Sequence, residues 1–184
     1  MTHHEKTALV VGAGSGIGRA VTLELADRGI RVLAADLNHE AVRALAEEHA
    51  HVSTLGDEGW DATDPDACDR LVQGAARELG HLDQVITTVG WTAITRFLDE
   101  TPDYWRRIID VNLMSTIYLA ASAGRVMRDQ GHGSIVLTAS EAGVVGTSGE
   151  SVYSATKAGV IALAKSLARE YARFGIREIG RAHV

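Results

Sequence analysis

Short apolar runs alternate with longer stretches of helical periodicity along this chain. Apolar residues fill most of positions 7–11 and 31–35, which is typical of strands buried on both faces. Over residues 17–28 and 39–50 the apolar positions instead recur about every third or fourth residue, as on one face of a helix. The pattern therefore predicts two consecutive strand–helix units.

The same alternation continues through the rest of the chain. We predict helices over residues 65–79, 101–128 and 151–174, and strands over residues 82–89 and 134–138. The segment 51–64 has no clear period, although its first residues could form a strand. Strands separated by helices indicate parallel βαβ units, so the expected fold is α/β, a doubly wound parallel sheet of the Rossmann type in a single domain.

Composition narrows the class of protein. The chain has 184 residues, a net charge of -6, and 18 basic residues that are scattered, which argues against a nucleic acid or an anionic membrane as its partner. No apolar run is long enough for a membrane span, and the first residues do not resemble a signal peptide. The single cysteine, Cys68, excludes an internal disulfide framework and a multi-cysteine metal site. We expect a cytoplasmic protein that binds no metal.

Four of the 19 glycines, Gly12, Gly14, Gly16 and Gly18, lie between the first strand and the first helix. Such a turn lets backbone N–H groups and the helix N-terminus approach a pyrophosphate. The turn lacks the Lys-Ser/Thr pair of a P-loop, which argues against a triphosphate. The alternative is a turn that only permits close packing of strand and helix.

Asp36 follows the second strand, where a carboxylate can accept hydrogen bonds from adenosine ribose hydroxyls and repel a 2′-phosphate. NAD is therefore the expected cofactor and NADP is less favoured, although Arg19 or Arg31 could approach such a phosphate. The alternative is a solvated turn residue or helix cap.

Tyr153 and Lys157 lie one helical turn apart, and Ser140 follows a strand at the sheet edge where ligands of α/β folds bind.

Together, GAGSGIG at 12–18, Asp36, Asn112 in DVNL, Ser140 and YSATK at 153–157 resemble the short-chain dehydrogenase/reductase family over about residues 6–177. The resemblance implies that Tyr153 is the general acid/base, with Lys157 as its activator and a ligand of the nicotinamide ribose. It implies that Ser140 binds the substrate oxygen and that Asn112 organises a water-linked proton path. The implied cofactor-binding residues are Gly12, Ser15, Gly16, Ile17, Gly18, Asp36, Asp61, Gly90, Tyr153 and Lys157.

The resemblance has one clear departure and one quaternary implication. The family's Asn-Asn-Ala-Gly segment is Thr87-Thr88-Val89-Gly90 here, which keeps Gly90 but replaces two amides by hydroxyls. The family often forms dimers or tetramers through its long helices, so a homo-oligomer is expected. Candidate contact residues, each of which could instead serve the core, are Ile117, Met127, Val160, Leu163, Leu167 and Tyr171.

Residues 172–177 resemble the family's run into its sixth strand, whereas residues 178–184 do not continue that pattern. We expect an incomplete nucleotide-binding domain over residues 1–177, followed by a non-native tail over 178–184, which reads as the translation of a common sequencing-adapter oligonucleotide. The sixth strand would then be missing. The strand over 134–138 would be left as an unpaired apolar edge. The alternative to a truncated chain is a natural short paralogue.

These observations favour an NAD-dependent oxidoreductase that acts on a secondary alcohol or ketone, whose truncated chain could be inactive. A 3-oxoacyl thioester reductase of the same family is the alternative within enzymes. A non-catalytic nucleotide-binding module is the alternative outside them. A methyltransferase could use a similar glycine turn but would not require Tyr153 and Lys157.

Overall fold

The computed structural model describes residues 5–181, which form one parallel sheet with helices on both faces. The strands lie in the order β3-β2-β1-β4-β5-β6. They are β1 (Thr7–Val11), β2 (Arg31–Ala35), β3 (Val52–Ser53), β4 (Gln84–Thr87), β5 (Gly133–Thr138) and β6 (Ile176–Arg181). The helices are α1 (Gly16–Asp27), α2 (His39–Glu48), α3 (Pro65–Leu79), α4 (Pro102–Ile109), α5 (Ser115–Gln130), α6 (Ala142–Val145) and α7 (Ser151–Tyr171).

The central strand β1 explains why the sheet has two separate cores. All five of its residues are buried, and it pairs with β2 on one side and β4 on the other. Because side chains alternate along a strand, Leu9 and Val11 pack against α3, α5 and α7, whereas Ala8 and Val10 pack against α1 and α2. The predicted doubly wound sheet is confirmed.

Local signals set several helix ends. The side chains of Asn38, Asp64 and Thr101 each accept a hydrogen bond from a backbone N–H in the first turn of the helix that follows. Helices α3 and α5 end at Gly80 and Gly131, whose φ angles are 85° and 77°. These ends lie within a few residues of the predicted ones.

The predicted helix over 101–128 is not continuous. Helix α4 ends at Ile109, a π-helical turn occupies Asp110–Met114, and α5 begins at Ser115. Such turns insert one extra residue into a helix and are frequent at functional sites. The short helix α6 was not predicted, and β3 has only two residues in the segment that gave no clear period.

The expectation of a missing sixth strand and an unpaired β5 is wrong. Strand β6 pairs in parallel with β5 along its whole length, from Gly133↔Ile176 to Thr138↔Arg181. Parallel pairing uses backbone groups only, so a sequence without a run of β-branched residues can form it when one anchor, here the buried Ile176, reaches the core. Residues 182–184 of the predicted tail lie outside the described residues.

Strand β6 contains a buried carboxyl group that has no partner within residues 5–181. Both carboxylate oxygens of Glu178 are buried and have no hydrogen-bond partner within residues 5–181. Burial raises the pKa of this carboxyl group to about 8. A cavity of about 150 Å³ lies where the strand packs against α7, and its lining includes Ile161, Ala164, Lys165 and Glu178.

Two of the candidate contacts between subunits lie in the core instead. Met127 and Val160 are fully buried within the chain, so neither side chain can contact a second copy. The other four are partly buried, and Leu163, Leu167 and Tyr171 pack against the core. Within residues 5–181, no helix has the length and apolarity needed to cross a membrane.

Candidate active site

The glycine turn between β1 and α1 is shaped by close backbone contacts. Gly12 has a φ of 86°, and a Cβ at Gly18 would lie 2.0 Å from the carbonyl oxygen of Gly12. Gly18 therefore has a packing role, because only glycine lets α1 approach the turn this closely. Helix α1 begins at Gly16, has no acidic residue in its first turn, and receives no side-chain cap from Ser15. Its first N–H groups remain available to an anion.

Two backbone N–H groups hold the carboxylate of Asp36 at the end of β2. Gly14 donates to Oδ2 at 2.8 Å, and Asn38 donates to Oδ1 at 2.9 Å. The Asp36 carbonyl also accepts a hydrogen bond from the N–H of Trp60, 2.9 Å away. The carboxylate is thereby fixed beside the glycine turn, with lone pairs left for further donors.

A cavity of about 310 Å³ lies beside the glycine turn and Asp36. Its wall includes five predicted cofactor residues, namely Gly12, Ser15, Asp36, Asp61 and Gly90. Its lining also contains Thr88 and several residues that were not singled out from the sequence, namely Leu37, Trp60, Trp91, Arg107 and Val111. Asp61 accepts hydrogen bonds at one oxygen from both the N–H and the hydroxyl of Thr63. The cavity thus combines apolar walls with fixed polar groups, as ligand sites do.

The Thr87-Thr88 pair takes the place of the two amides expected at the end of β4. The Thr88 hydroxyl lies 3.0 Å from the carbonyl oxygens of both Val11 and Gly12, so it ties β4 to the start of the glycine turn. The hydroxyl of Thr87 is buried and has no hydrogen-bond partner within residues 5–181. The two adjacent hydroxyls therefore differ in function, and only Thr88 supports the turn.

Asn112 occupies the middle of the π-helical turn and is fully buried. Its amide donates to the carbonyls of Trp91 and Ile108 at 2.7 and 2.9 Å, and its Oδ1 accepts from the N–H of Trp91 at 3.1 Å. Asn112 does not line the cavity beside the glycine turn. It fixes the segment after Gly90, because it forms hydrogen bonds with both the N–H and the carbonyl of Trp91.

Ser140, Tyr153 and Lys157 meet at a second cavity of about 360 Å³, which also includes Ile17. This cavity shares the wall formed by residues 88–91 with the first cavity. The Lys157 ammonium lies 5.7 Å from the centre of the Tyr153 ring and donates to the Thr138 carbonyl at 3.0 Å. Burial lowers the pKa of Lys157 to about 8.

The structure brings the predicted residues together around these two adjoining cavities, with three exceptions. Asn112, Gly18 and Gly16 line neither cavity. The first two are buried, and Gly16 is the first residue of α1. The residues that the sequence did not indicate, such as Trp91 and Arg107, reach the cavity only through the packing of α4 and the π-helical turn. No group of three or more metal-ligating side chains occurs in the part of the chain that the structure describes.

A dinucleotide fits this arrangement on structural grounds. Gly16 leaves open space at the start of α1, and the first turn of this helix supplies free N–H groups to which a phosphate group could bind. Asp36 lines the first cavity, and Lys157 lines the second. The groups that would bind the two ends of such a cofactor therefore lie in two cavities joined by a common wall.

Comparison with known proteins identifies the family. The family model for short chain dehydrogenases matches residues 6–180. An uncharacterized oxidoreductase of Staphylococcus aureus (strain USA300) is 34% identical over 173 residues, which cover 94% of this chain and 74% of that protein. The 3-oxoacyl-acyl-carrier-protein reductase FabG of Escherichia coli (strain K12) is 33% identical over 180 residues, 96% of this chain and 71% of that protein.

Solved structures agree with this result. A short-chain dehydrogenase from Streptomyces avermitilis superimposes with a TM-score of 0.90 and 28% identity, over 97% of this chain and 65% of that chain. The likeness extends across the sheet and the helices that carry both cavities. The chain therefore belongs to the short-chain dehydrogenase family and is an oxidoreductase.

Proposed function

We propose that the chain is an NAD-dependent oxidoreductase that interconverts a secondary alcohol and a ketone. The observation that carries the proposal is the placement of Lys157 and Tyr153 beside Ser140, in a cavity that adjoins the glycine turn. The family uses nicotinamide cofactors, and NAD, when bound, accepts or supplies the hydride.

Each side chain of the second cavity has a distinct task in this proposal. Tyr153 takes the proton from the substrate hydroxyl in oxidation and returns it in reduction. Ser140 donates a hydrogen bond to the same substrate oxygen, where charge develops during the reaction. Lys157, fixed by the carbonyl of Thr138, places a positive charge near the Tyr153 ring and would also bind the nicotinamide ribose.

The preference for NAD rests on Asp36. Two backbone N–H groups hold its carboxylate in place, and the exposed residue that follows is Leu37 rather than a cation. A 2′-phosphate would be repelled there, whereas two ribose hydroxyls would find an acceptor. Gly12, Ser15, Gly16, Ile17 and Gly18 would hold the pyrophosphate, and Asp61 would contact the adenine.

Asn112 acts in the proposal by positioning. Its side chain is committed to Trp91 and Ile108, so it cannot itself bind substrate. The π-helical turn that it occupies frees backbone groups, which would organise water along the path of the proton. Similarity to FabG makes a 3-oxoacyl thioester a second candidate substrate, although Asp36 argues against NADPH as its reductant.

The test compares the native chain with Tyr153→Phe. Loss of the phenolic proton should lower turnover of a secondary alcohol by about 100-fold or more, with NADH affinity nearly unchanged. NADH and NADPH affinities are measured by fluorescence titration, and 3-oxoacyl thioester reduction is assayed in parallel. Unchanged turnover in Tyr153→Phe would contradict the role of Tyr153, and equal affinity for NADH and NADPH would contradict the role of Asp36.

A further inference from the structure

Arg107 is a cation in the wall of the first cavity. The other ionisable groups that line this cavity are the carboxylates of Asp36 and Asp61. The guanidinium carbon of Arg107 lies 3.9 Å from the centre of the Trp91 ring, and no ion pair joins Arg107 to a carboxylate within residues 5–181. Its neighbour Arg106 differs, because it does not line the cavity and pairs with Asp103 at 2.6 Å.

The platform under Arg107 is fixed by the core. Both backbone groups of Trp91 are hydrogen-bonded to the buried side chain of Asn112. The ring of Tyr104 meets the Trp91 ring edge-on, with 5.7 Å between the ring centres. Stacking on a ring held in this way restricts the guanidinium without using any of its N–H donors. Arg107 therefore presents a full positive charge and free donors at the cavity wall.

A positive charge in the wall of the first cavity would strengthen the binding of a dinucleotide. The glycine turn contributes no charged side chain, and a helix N-terminus supplies only about half of one positive charge. A diphosphate carries two negative charges, and Asp36 and Asp61 add repulsion nearby. We propose that Arg107 binds the diphosphate group of the cofactor from the α4 wall and thereby supplies the charge that the glycine turn lacks.

This inference rests on the proposed function, and ligand binding tests it without requiring turnover. The variants are Arg107→Gln, which removes the charge but keeps a planar amide, Arg107→Lys, which keeps the charge, and Arg106→Gln as the matched control. Fluorescence and calorimetric titrations measure the dissociation constants of NADH, ADP and adenosine. Thermal unfolding of each variant checks that the fold is retained.

Arg107→Gln should weaken NADH and ADP binding by about 10-fold to 100-fold, the value of a charge-assisted hydrogen bond. Adenosine, which has no phosphate, should bind the variant and the native chain equally. Arg107→Lys should recover most of the loss, and Arg106→Gln should change each dissociation constant less than about twofold because surface ion pairs contribute little. The difference between native and Arg107→Gln should shrink as salt is added.

Several results would overturn the assignment. An equal loss for adenosine and ADP would mean that Arg107 acts by packing, and a loss confined to NADPH would place it at the 2′-phosphate. Unchanged NADH binding in Arg107→Gln would contradict the role of Arg107 and leave the proposed function standing. A native chain that binds neither NADH nor ADP would contradict both.

Discussion

Two ionisable side chains are buried at helix α7, one on its first half and one packed against its second half. They differ in their hydrogen bonds and in the groups around them. In the first half, the ammonium of Lys157 donates a hydrogen bond to the Thr138 carbonyl and faces the cavity that holds Tyr153 and Ser140. Near the second half, the Glu178 carboxylate of β6 is buried against α7 without a hydrogen-bond partner within residues 5–181. Burial lowers the pKa of Lys157 to about 8 and raises that of Glu178 to about 8.

The difference shows that a shifted pKa does not identify a functional site by itself. Both shifts arise from removal of a charge from water, which disfavours the charged form whatever its surroundings. Lys157 is assigned to the functional site because its hydrogen bond fixes it and because Tyr153 and Ser140 line the same cavity. Glu178 has neither, so its burial is a cost to the fold that the pairing of β6 with β5 must offset.

The largest expected effect comes from Glu178→Val. The folded-state pKa of about 8 lies above the ordinary value of 4.5, so the native chain becomes less stable as pH rises from 4.5 through 8. Valine suits a strand and has no charge, so the variant should be more stable by about 2 kcal/mol at pH 8, a value discounted for partial screening by solvent, and by much less at pH 5. Urea unfolding at both pH values measures the difference.

Arg177→Val is the control for this prediction, since Arg177 is exposed on the same strand. It should keep the pH dependence of the native chain. If Glu178→Val also kept that dependence, the Glu178 carboxyl would be solvated, and the contrast between the two halves of α7 would disappear.

The next largest effect on stability is expected for Lys157→Met, which removes the buried ammonium group. Because the folded-state pKa of about 8 lies below the ordinary 10.5, native stability rises as pH increases from 8 to 10.5. The variant should be more stable by about 1–2 kcal/mol at pH 7, after loss of the hydrogen bond to Thr138, and this advantage should vanish near pH 10.5. Turnover should fall sharply. A variant less stable than the native chain at pH 7 would show that the ammonium stabilises this half of α7.

The sequence predicted the Lys157 region far better than the Glu178 region, for a physical reason. The glycine turn, the end of β2 and the Tyr153–Lys157 spacing are local, so the residue types reveal them directly. Strand β6 forms through backbone pairing with β5, which leaves no signature in its side chains. The π-helical turn at Asn112 and the positions of Trp91 and Arg107 depend on how α4 packs, and no local pattern encodes that packing.

The smallest expected effects come from the adjacent residues Thr87 and Thr88. They too form a pair in which one buried polar group has a hydrogen-bond partner and the other has none within residues 5–181, but both groups are uncharged. The Thr87 hydroxyl is buried without a partner, so Thr87→Val should leave stability unchanged or raise it by about 1 kcal/mol. Thr88→Val removes the donor shared by the carbonyls of Val11 and Gly12 and should cost about 1–2 kcal/mol. Urea unfolding of both variants provides the measurement, and NADH titration adds a second readout because only Thr88 supports the glycine turn. Equal stability changes in the two variants would mean that the Thr88 hydroxyl does not tie β4 to the turn.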